Sequence, residues 1–147
     1  MSFLAHSRLY VWSGFLLLID QYLKYLIRLR PAPRYLIDPW LGFEYYTNPG
    51  IAFSLPFPNL FLVIITPLIL LWLVKLLTTE RRASRTLAIL LIAAGALSNF
   101  IDRLVFGVTI DYLRVLTGVI NLADIMIAVG IVLLYVYRDP NGRRARA

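Results

Sequence analysis

Asn99-Phe-Ile-Asp102-Arg103-Leu-Val-Phe-Gly107-Val-Thr-Ile-Asp111 is followed, after a short apolar link, by Asn121-Leu-Ala-Asp124. This stretch holds three of the eight acidic residues of the chain, and it lies between two strongly apolar segments. A carboxylate is costly to bury as an ion in hydrocarbon-rich surroundings. A chain that keeps three of them there is expected to use them, so Asp102, Asp111 and Asp124 are the first candidates for a functional site.

The composition indicates an integral membrane protein. The chain has 147 residues, of which 60% are hydrophobic and only 16% are charged, and its mean hydropathy is +0.74. A soluble domain of this size has too much surface to cover with so few charges. We therefore expect residues 1–147 to form one membrane domain.

Several kinds of chemistry are made improbable by what the chain lacks. It has no cysteine, so disulfides, thiolate chemistry and cysteine-based metal sites are excluded. His6 is the sole histidine, which leaves a zinc hydrolase with almost no ligands. We expect a function that needs no metal and no cofactor.

Four apolar segments are long enough to cross a bilayer. They cover approximately residues 10–27, 60–77, 86–106 and 120–137. The sequence thus predicts an all-α membrane protein, a bundle of four transmembrane helices, with a small extracytoplasmic β element at about residues 35–58.

The basic residues predict the orientation of this bundle. If the helices alternate, nine of them fall on one side: Arg8, Lys75, Arg81, Arg82, Arg85, Arg138, Arg143, Arg144 and Arg146. Five fall on the other side: Arg28, Arg30, Arg34, Arg103 and Arg114. The positive-inside rule then places both termini in the cytoplasm. The clusters are better explained as anchors on anionic lipid than as a surface for nucleic acid, which we do not expect as a partner.

The segment between the first two spans is rich in proline and cannot form a long helix. Leu41 to Thr47 is aromatic and partly β-branched, which favours a strand. Asn48-Pro49-Gly50 predicts a turn, and Ile51 to Ser54 is a candidate returning strand. The alternative is an ordinary amphipathic loop with interfacial aromatic residues.

Asp20 and Lys24 stand four residues apart in the first span, so they share one helix face. One interpretation is a mutually neutralising pair near the interface, with Lys24 snorkelling to water. The other is a pair that faces the bundle interior and borders a site. The sequence leaves both interpretations open.

The three central acids differ in their surroundings. Asp102 follows Asn99 by about one turn and adjoins Arg103, which favours an ionised orienting or structural residue. Asp111 has apolar neighbours, which should raise its pKa. Asp124 stands three residues after Asn121, the spacing of a capping box, so a purely structural role is an open alternative.

A turn at Thr117-Gly118 would bring Asp111 and Asp124 together. Two carboxylates at close range in a site of low dielectric constant share one proton. Such a pair can activate water and protonate a leaving amine without a metal. Spacing alone does not exclude Asp102 as a member of the pair.

Four motifs, in order along nearly the whole chain, resemble those of the prolipoprotein signal peptidases, or signal peptidase II. They are Asp20-Gln-Tyr-Leu-Lys24, Asn48-Pro-Gly50-Ile-Ala52-Phe53-Ser54, Gly95-Ala-Leu-Ser98-Asn99-Phe-Ile-Asp102-Arg103, and Val108-Thr-Ile-Asp111 with Asn121-Leu-Ala123-Asp124. Ser98 replaces the usual Gly, Ile120 the usual Phe, and Leu23 the usual Ser or Thr. No acidic position of the family pattern is lost.

The resemblance implies a four-helix bundle with a β-cradle and a catalytic dyad of Asp111 and Asp124. It implies substrate-binding or supporting roles for Asp20, Lys24, Asn48, Gly50, Ala52, Phe53, Asn99, Asp102, Arg103, Asn121 and Ala123. The implied partners are membrane lipids and bacterial prolipoproteins whose cysteine carries diacylglyceryl, cut just before that cysteine. The enzyme would work as a monomer in the bacterial inner membrane, with its active site near the extracytoplasmic face.

Two rival functions remain at this stage. A small proton-coupled or ion transporter also keeps acids in the membrane, but it more often places them near the midplane or within inverted repeats. A structural membrane subunit would use its acids to cap helices and pair with arginines, which does not explain Asp111.

Overall fold

The computed structural model describes residues 3–50 and 57–138. The elements follow in the order α1 (Phe3–Leu29), β1 (Arg34–Ile37), β2 (Leu41–Asn48), α2 (Asn59–Thr79), α3 (Ala83–Phe106), β3 (Thr109–Val115), β4 (Gly118–Ile120) and α4 (Leu122–Val136). The predicted returning strand, with Ala52 and Phe53, lies outside the described residues.

Local sequence signals explain where the helices end. The helix α3 ends at Gly107, whose φ of 75° is left-handed and whose N–H donates to the carbonyl of Arg103. The helix α4 begins after Asn121, which caps it, and is therefore shorter than the predicted span 120–137. The helix α1 starts well before residue 10, because no proline or glycine interrupts the residues that precede it.

The helices differ in how clearly they fit a membrane. Among the described residues, α2 and α3 are long and apolar enough to cross a bilayer. The helix α4 has only 15 residues, and α1 includes a buried polar cluster described below. Almost the whole surface of α2 is exposed and apolar, with Leu73 its one buried residue, which is unfavourable in water. The four-span bundle therefore stays a prediction for α1 and α4.

The β structure is larger than the sequence predicted. Four antiparallel strands form one sheet in the order β1-β2-β3-β4, and this sheet sits at the end of the bundle where α3 ends and α4 begins. The link between Asp111 and Asp124, predicted as a simple turn, is a hairpin of β3 and β4. Its turn lies at Leu116 and Thr117. The predicted β element at about residues 35–58 covers β1 and β2 but not β3 and β4. β4 has three residues, too few for a period-two pattern.

Helices α3 and α4 pack closely because glycines stand at their contact. A Cβ atom on Gly95 would lie 2.5 Å from the carbonyl oxygen of Ala123, and one on Gly130 would lie 2.7 Å from that of Ala88. Both distances are too short for real contacts, so a side chain at either position must separate the helices. Small residues at these positions therefore allow the close contact between α3 and α4.

Replacing Gly95 with alanine should therefore destabilise the protein. The new methyl group meets a backbone carbonyl, which cannot move aside as a side chain can, and overpacking of this kind costs about 1–3 kcal/mol. The measurement is the thermal unfolding temperature in detergent. Gly14→Ala is the matched control, because nothing lies within 4 Å of a Cβ built there. Equal unfolding temperatures for the two variants would contradict the close contact.

Candidate active site

The side chain of Asn121 joins two acidic residues that come from different elements. Its Nδ2 donates to Oδ1 of Asp111 on β3 at 2.6 Å, and its Oδ1 accepts from the backbone N–H of Asp124 on α4 at 2.8 Å. Both Asn121 and Asp111 are fully buried. One amide at the start of α4 thus positions both acids, and the hairpin β3–β4 brings them to the same place.

Asp111 has polar partners that the sequence did not predict. Asn48 Nδ2 donates to its Oδ2 at 3.2 Å, because β2 pairs with β3 so that Asp111 lies opposite Tyr46, diagonal to Asn48 on the same face. The apolar sequence neighbours of Asp111 therefore gave no sign of these two amide partners. Burial, together with the nearby Asp124 carboxylate, still raises the pKa of Asp111 to about 7.

Asp124 belongs both to the capping box of α4 and to this site. Its Oδ2 accepts from the backbone N–H of Asn121 at 3.2 Å, which completes the capping box with Asn121. Its Oδ1 accepts from Asn99 Nδ2 at 2.9 Å. The predicted capping box is thus confirmed, and it leaves Asp124 in the same hydrogen-bonded group as Asp111.

Asp20 and Lys24 face the interior of the bundle. The Nζ atom of Lys24 lies 2.7 Å from Asp20 and 2.8 Å from Asp102, and both carboxylates are completely buried. The snorkelling interpretation is therefore wrong. Lys24 also donates to Asn99 Oδ1 at 3.0 Å, so this cluster is directly connected to the residue that binds Asp124.

Asp102 and Arg103 point to different partners although they are adjacent in sequence. Asp102 accepts from the backbone N–H of Ile110 at 3.1 Å and so holds β3 next to Asp111. Arg103 donates to the carbonyl oxygens of Asn99 at 3.3 Å and Gly50 at 3.0 Å. Asp102 thus belongs to the Lys24 cluster, and Arg103 ties α3 to the turn after β2.

The N-terminus of α4 is held by residues from two other elements. The backbone N–H of Ala123 donates to Asp20 Oδ1 at 3.2 Å, and that of Leu122 donates to the Tyr112 hydroxyl at 3.0 Å. The same hydroxyl donates to Asp20 Oδ1 at 2.9 Å. Because free N–H groups at a helix start need partners, these bonds set the position of α4 and hence of Asp124.

Sequence reasoning missed three residues of this network: Gln21, Ser98 and Tyr112. Ser98 Oγ donates to Asp20 Oδ2 at 2.6 Å, and Gln21 Nε2 donates to Ser98 Oγ at 2.9 Å and to Asp102 Oδ1 at 3.0 Å. A signal for Ser98 was present, because it stands one turn before Asp102. For Tyr112 the available signal was its place beside Asp111.

The structure brings most of the predicted residues into one network and leaves two without a position. The connected residues are Asp20, Lys24, Asn48, Gly50, Asn99, Asp102, Arg103, Asp111, Asn121, Ala123 and Asp124. Ala52 and Phe53 lie outside the described residues. Within residues 3–50 and 57–138, no group of three or more metal-binding side chains is arranged around a common point.

Known proteins share both the sequence and the fold. The family described as "Signal peptidase (SPase) II" matches residues 12–138. The lipoprotein signal peptidase of Syntrophus aciditrophicus (strain SB) is 33% identical, over 86% of this chain and 88% of the relative. That of Moorella thermoacetica (strain ATCC 39073 / JCM 9320) is 35% identical, over 80% and 83%.

Two solved structures agree with this relationship. One, described as a bacterial membrane enzyme determined by the in meso method at 2.3 Å resolution, matches with a TM-score of 0.79 and 28% identity. The match covers 86% of this chain and 85% of the other. A second, at 1.9 Å resolution, has a TM-score of 0.76 and 27% identity, over 86% and 90%. The chain is therefore a bacterial membrane protease and belongs to the signal peptidase II family.

Proposed function

We propose that this chain is an aspartic endopeptidase that removes the signal peptide from diacylglyceryl-modified bacterial prolipoproteins, cutting before the lipid-modified cysteine. Membership of the family supports the substrate class. The observation that carries the catalytic type is a pair of carboxylates that both accept hydrogen bonds from Asn121, that of Asp111 from its side-chain amide and that of Asp124 from its backbone N–H. Two acids in such a position can activate water between them.

The two acids have different roles in this proposal. Asp124 lies in the first turn of α4, where free N–H groups and the helix dipole favour a negative charge. It would take a proton from the attacking water. Asp111, whose pKa is raised to about 7, would hold the shared proton and polarise the scissile carbonyl. The proton that Asp124 takes from water then passes to the leaving amine as the C–N bond breaks, and Asp111 recovers the proton that it shared with the carbonyl oxygen.

The surrounding amides are proposed to line or brace the substrate groove. Asn48, Asn99 and Asn121 each carry donors and acceptors that suit an extended peptide backbone. Arg103 holds the Gly50 carbonyl in place, and Gly50 allows the substrate backbone to approach closely. Substrate-binding roles for Ala52 and Phe53 rest on the family motif.

The proposed topology has four spans, with both termini in the cytoplasm and the sheet on the extracytoplasmic face. The distribution of basic residues supports it. The 15 residues of α4 rise about 22 Å, less than a hydrocarbon core of about 30 Å. If α4 ends at the cytoplasmic interface, Asp124 lies inside the membrane, below the extracytoplasmic interface. A lipid-anchored substrate would present its scissile bond at this depth.

The direct test is cleavage by the purified protein of a precursor peptide that carries a diacylglyceryl cysteine. We expect release of the signal peptide with the new N-terminus at that cysteine, and no cleavage of the same precursor without the lipid. Cleavage of both precursors alike would contradict the proposed substrate class. Proton or ion flux without cleavage would favour the transporter alternative.

Activity should survive chelators. The proposed mechanism uses only carboxylates, and the chain offers no cysteine and one histidine as soft ligands. The measurement is the cleavage rate after prolonged incubation with a strong chelator and removal of the complex. A loss that zinc restores would contradict the proposal.

The shared proton should give a defined pH dependence. The pKa of Asp111 in the folded chain lies above its ordinary value of 3.8. Between about pH 4 and pH 7 the folded chain therefore keeps a proton that the unfolded chain has already lost. The stability contribution of this group therefore falls as the pH rises through about 7. We expect kcat/KM to fall as the pH rises through about 7, because the folded pair loses its proton there.

Infrared spectra of the substrate-free enzyme would assign the proton. A protonated-carboxyl band should be present in the wild type and in Asp124→Asn and absent in Asp111→Asn. A band that persists in Asp111→Asn and disappears in Asp124→Asn would reverse the two roles.

A further inference from the structure

Five arginines belong to the end of the molecule that carries the sheet, and three of them have partners within the chain. Arg103 is held in the candidate site. Arg114 forms two hydrogen bonds of 2.6 Å with Glu44. Arg28 lies over the ring of Phe106, 3.9 Å from its centroid. Each of these three arginines thus has a partner within the chain.

The other two, Arg30 and Arg34, have no side-chain hydrogen bond, ion pair or ring contact to any residue within 3–50 or 57–138, and both are exposed. Both line the same cavity, which has a volume of about 480 Å³. Arg30 follows the end of α1, and Arg34 begins β1. Two cationic residues thus line one cavity, and neither forms an ion pair within residues 3–50 and 57–138.

The rest of the cavity is apolar. Its walls come from the last turns of α1, with Leu23, Leu26 and Ile27, and from Phe43 on β2. On the same turns of α1, Tyr22 and Tyr25 are more than half exposed, as expected for aromatic residues at a membrane interface. A ligand that matches this cavity needs an acidic group for the arginines and a hydrocarbon chain for the walls.

We propose that this cavity binds an anionic phospholipid of the surrounding membrane, with its phosphate between Arg30 and Arg34 and one acyl chain along Leu23, Ile27 and Phe43. Guanidinium groups suit phosphate because they can donate two parallel hydrogen bonds. A free inorganic anion would leave the apolar walls without a partner, whereas a phospholipid matches both parts of the cavity. This site is separate from Asp111 and Asp124 and does not depend on the proposed cleavage reaction.

Lipid in this cavity would be connected to the candidate active site through Tyr112. Tyr112 lines the cavity, and its hydroxyl connects Asp20 with the N-terminus of α4. A lipid packed against the ring would hold that hydroxyl in place. Because the lipid binds the folded chain, it should also raise the unfolding temperature.

The test is native mass spectrometry of the delipidated protein in detergent, with phosphatidylglycerol and phosphatidylcholine of the same acyl chains. Phosphatidylglycerol carries one net negative charge more than phosphatidylcholine, and two arginines line the cavity. We therefore expect phosphatidylglycerol to bind roughly 30-fold more tightly than phosphatidylcholine. The variant Arg30→Gln/Arg34→Gln should lose this preference. The matched control, Arg28→Gln/Arg114→Gln, removes the same charge from the same end and should keep it.

A second variant tests the apolar part of the site. Leu26→Trp should fill the cavity and weaken binding of both lipids while the arginines remain. Equal binding of the two lipids by the wild type, or an unchanged preference in Arg30→Gln/Arg34→Gln, would overturn the proposal. Competition by glycerol phosphate at the concentration of the lipid would show an anion site only, and displacement by a diacylglyceryl peptide would assign the cavity to the substrate.

Discussion

Asp111→Asn and Asp124→Asn should each reduce kcat for prolipoprotein cleavage by at least ~10²-fold, the usual contribution of a group in general acid–base catalysis. An amide has nearly the shape of a carboxyl group but can neither accept the proton of water nor deliver one to the leaving amine. Substrate affinity should change little, because the hydrogen-bonding groups around the pair remain. The measurement is single-turnover cleavage of the lipid-modified precursor, together with precursor binding at equilibrium.

Two further variants make this result specific. Asp38→Asn changes an exposed acid between β1 and β2 and should leave turnover at the wild-type level. Asp102→Asn removes a charge from the Lys24 cluster and should act mainly on stability. Near-normal turnover in Asp111→Asn or Asp124→Asn would exclude that residue from the catalytic pair.

Lys24→Met should lower the free energy of unfolding by about 3–5 kcal/mol, the cost of removing one member of a buried ion group. The substitution leaves Asp20 and Asp102 completely buried without the cation that lies 2.7 and 2.8 Å from them. It also removes a donor from Asn99. Chemical or thermal unfolding in detergent micelles would measure the loss.

The matched control for Lys24→Met is Arg114→Met. Arg114 also pairs with a carboxylate, that of Glu44, but its side chain is 25% exposed, so its loss should cost about 0–1 kcal/mol. Adding Asp102→Asn to Lys24→Met should restore part of the stability, because one uncompensated charge is removed. Equal losses for Lys24→Met and Arg114→Met would contradict the buried cluster.

The sequence by itself determined the features that depend on near neighbours in the chain. The apolar segments predicted the four helices to within a few residues, apart from the early start of α1. Gly107 ends α3 in the left-handed conformation, and Asn121 with Asp124 forms the predicted capping box. The family motifs also identified the family correctly. Such signals are readable because each acts over one turn of helix or one strand.

Only the tertiary structure decided which polar groups meet. Asn48 reaches Asp111 across 63 positions of sequence, because the register of β2 and β3 sets that contact. Lys24 turned inward because Asp102 and Asn99 of another helix surround it. Tyr112 joined the network through Asp20, 92 positions away. A buried donor takes whichever acceptor the packing brings near it, and that choice depends on distances that the order of residues does not contain.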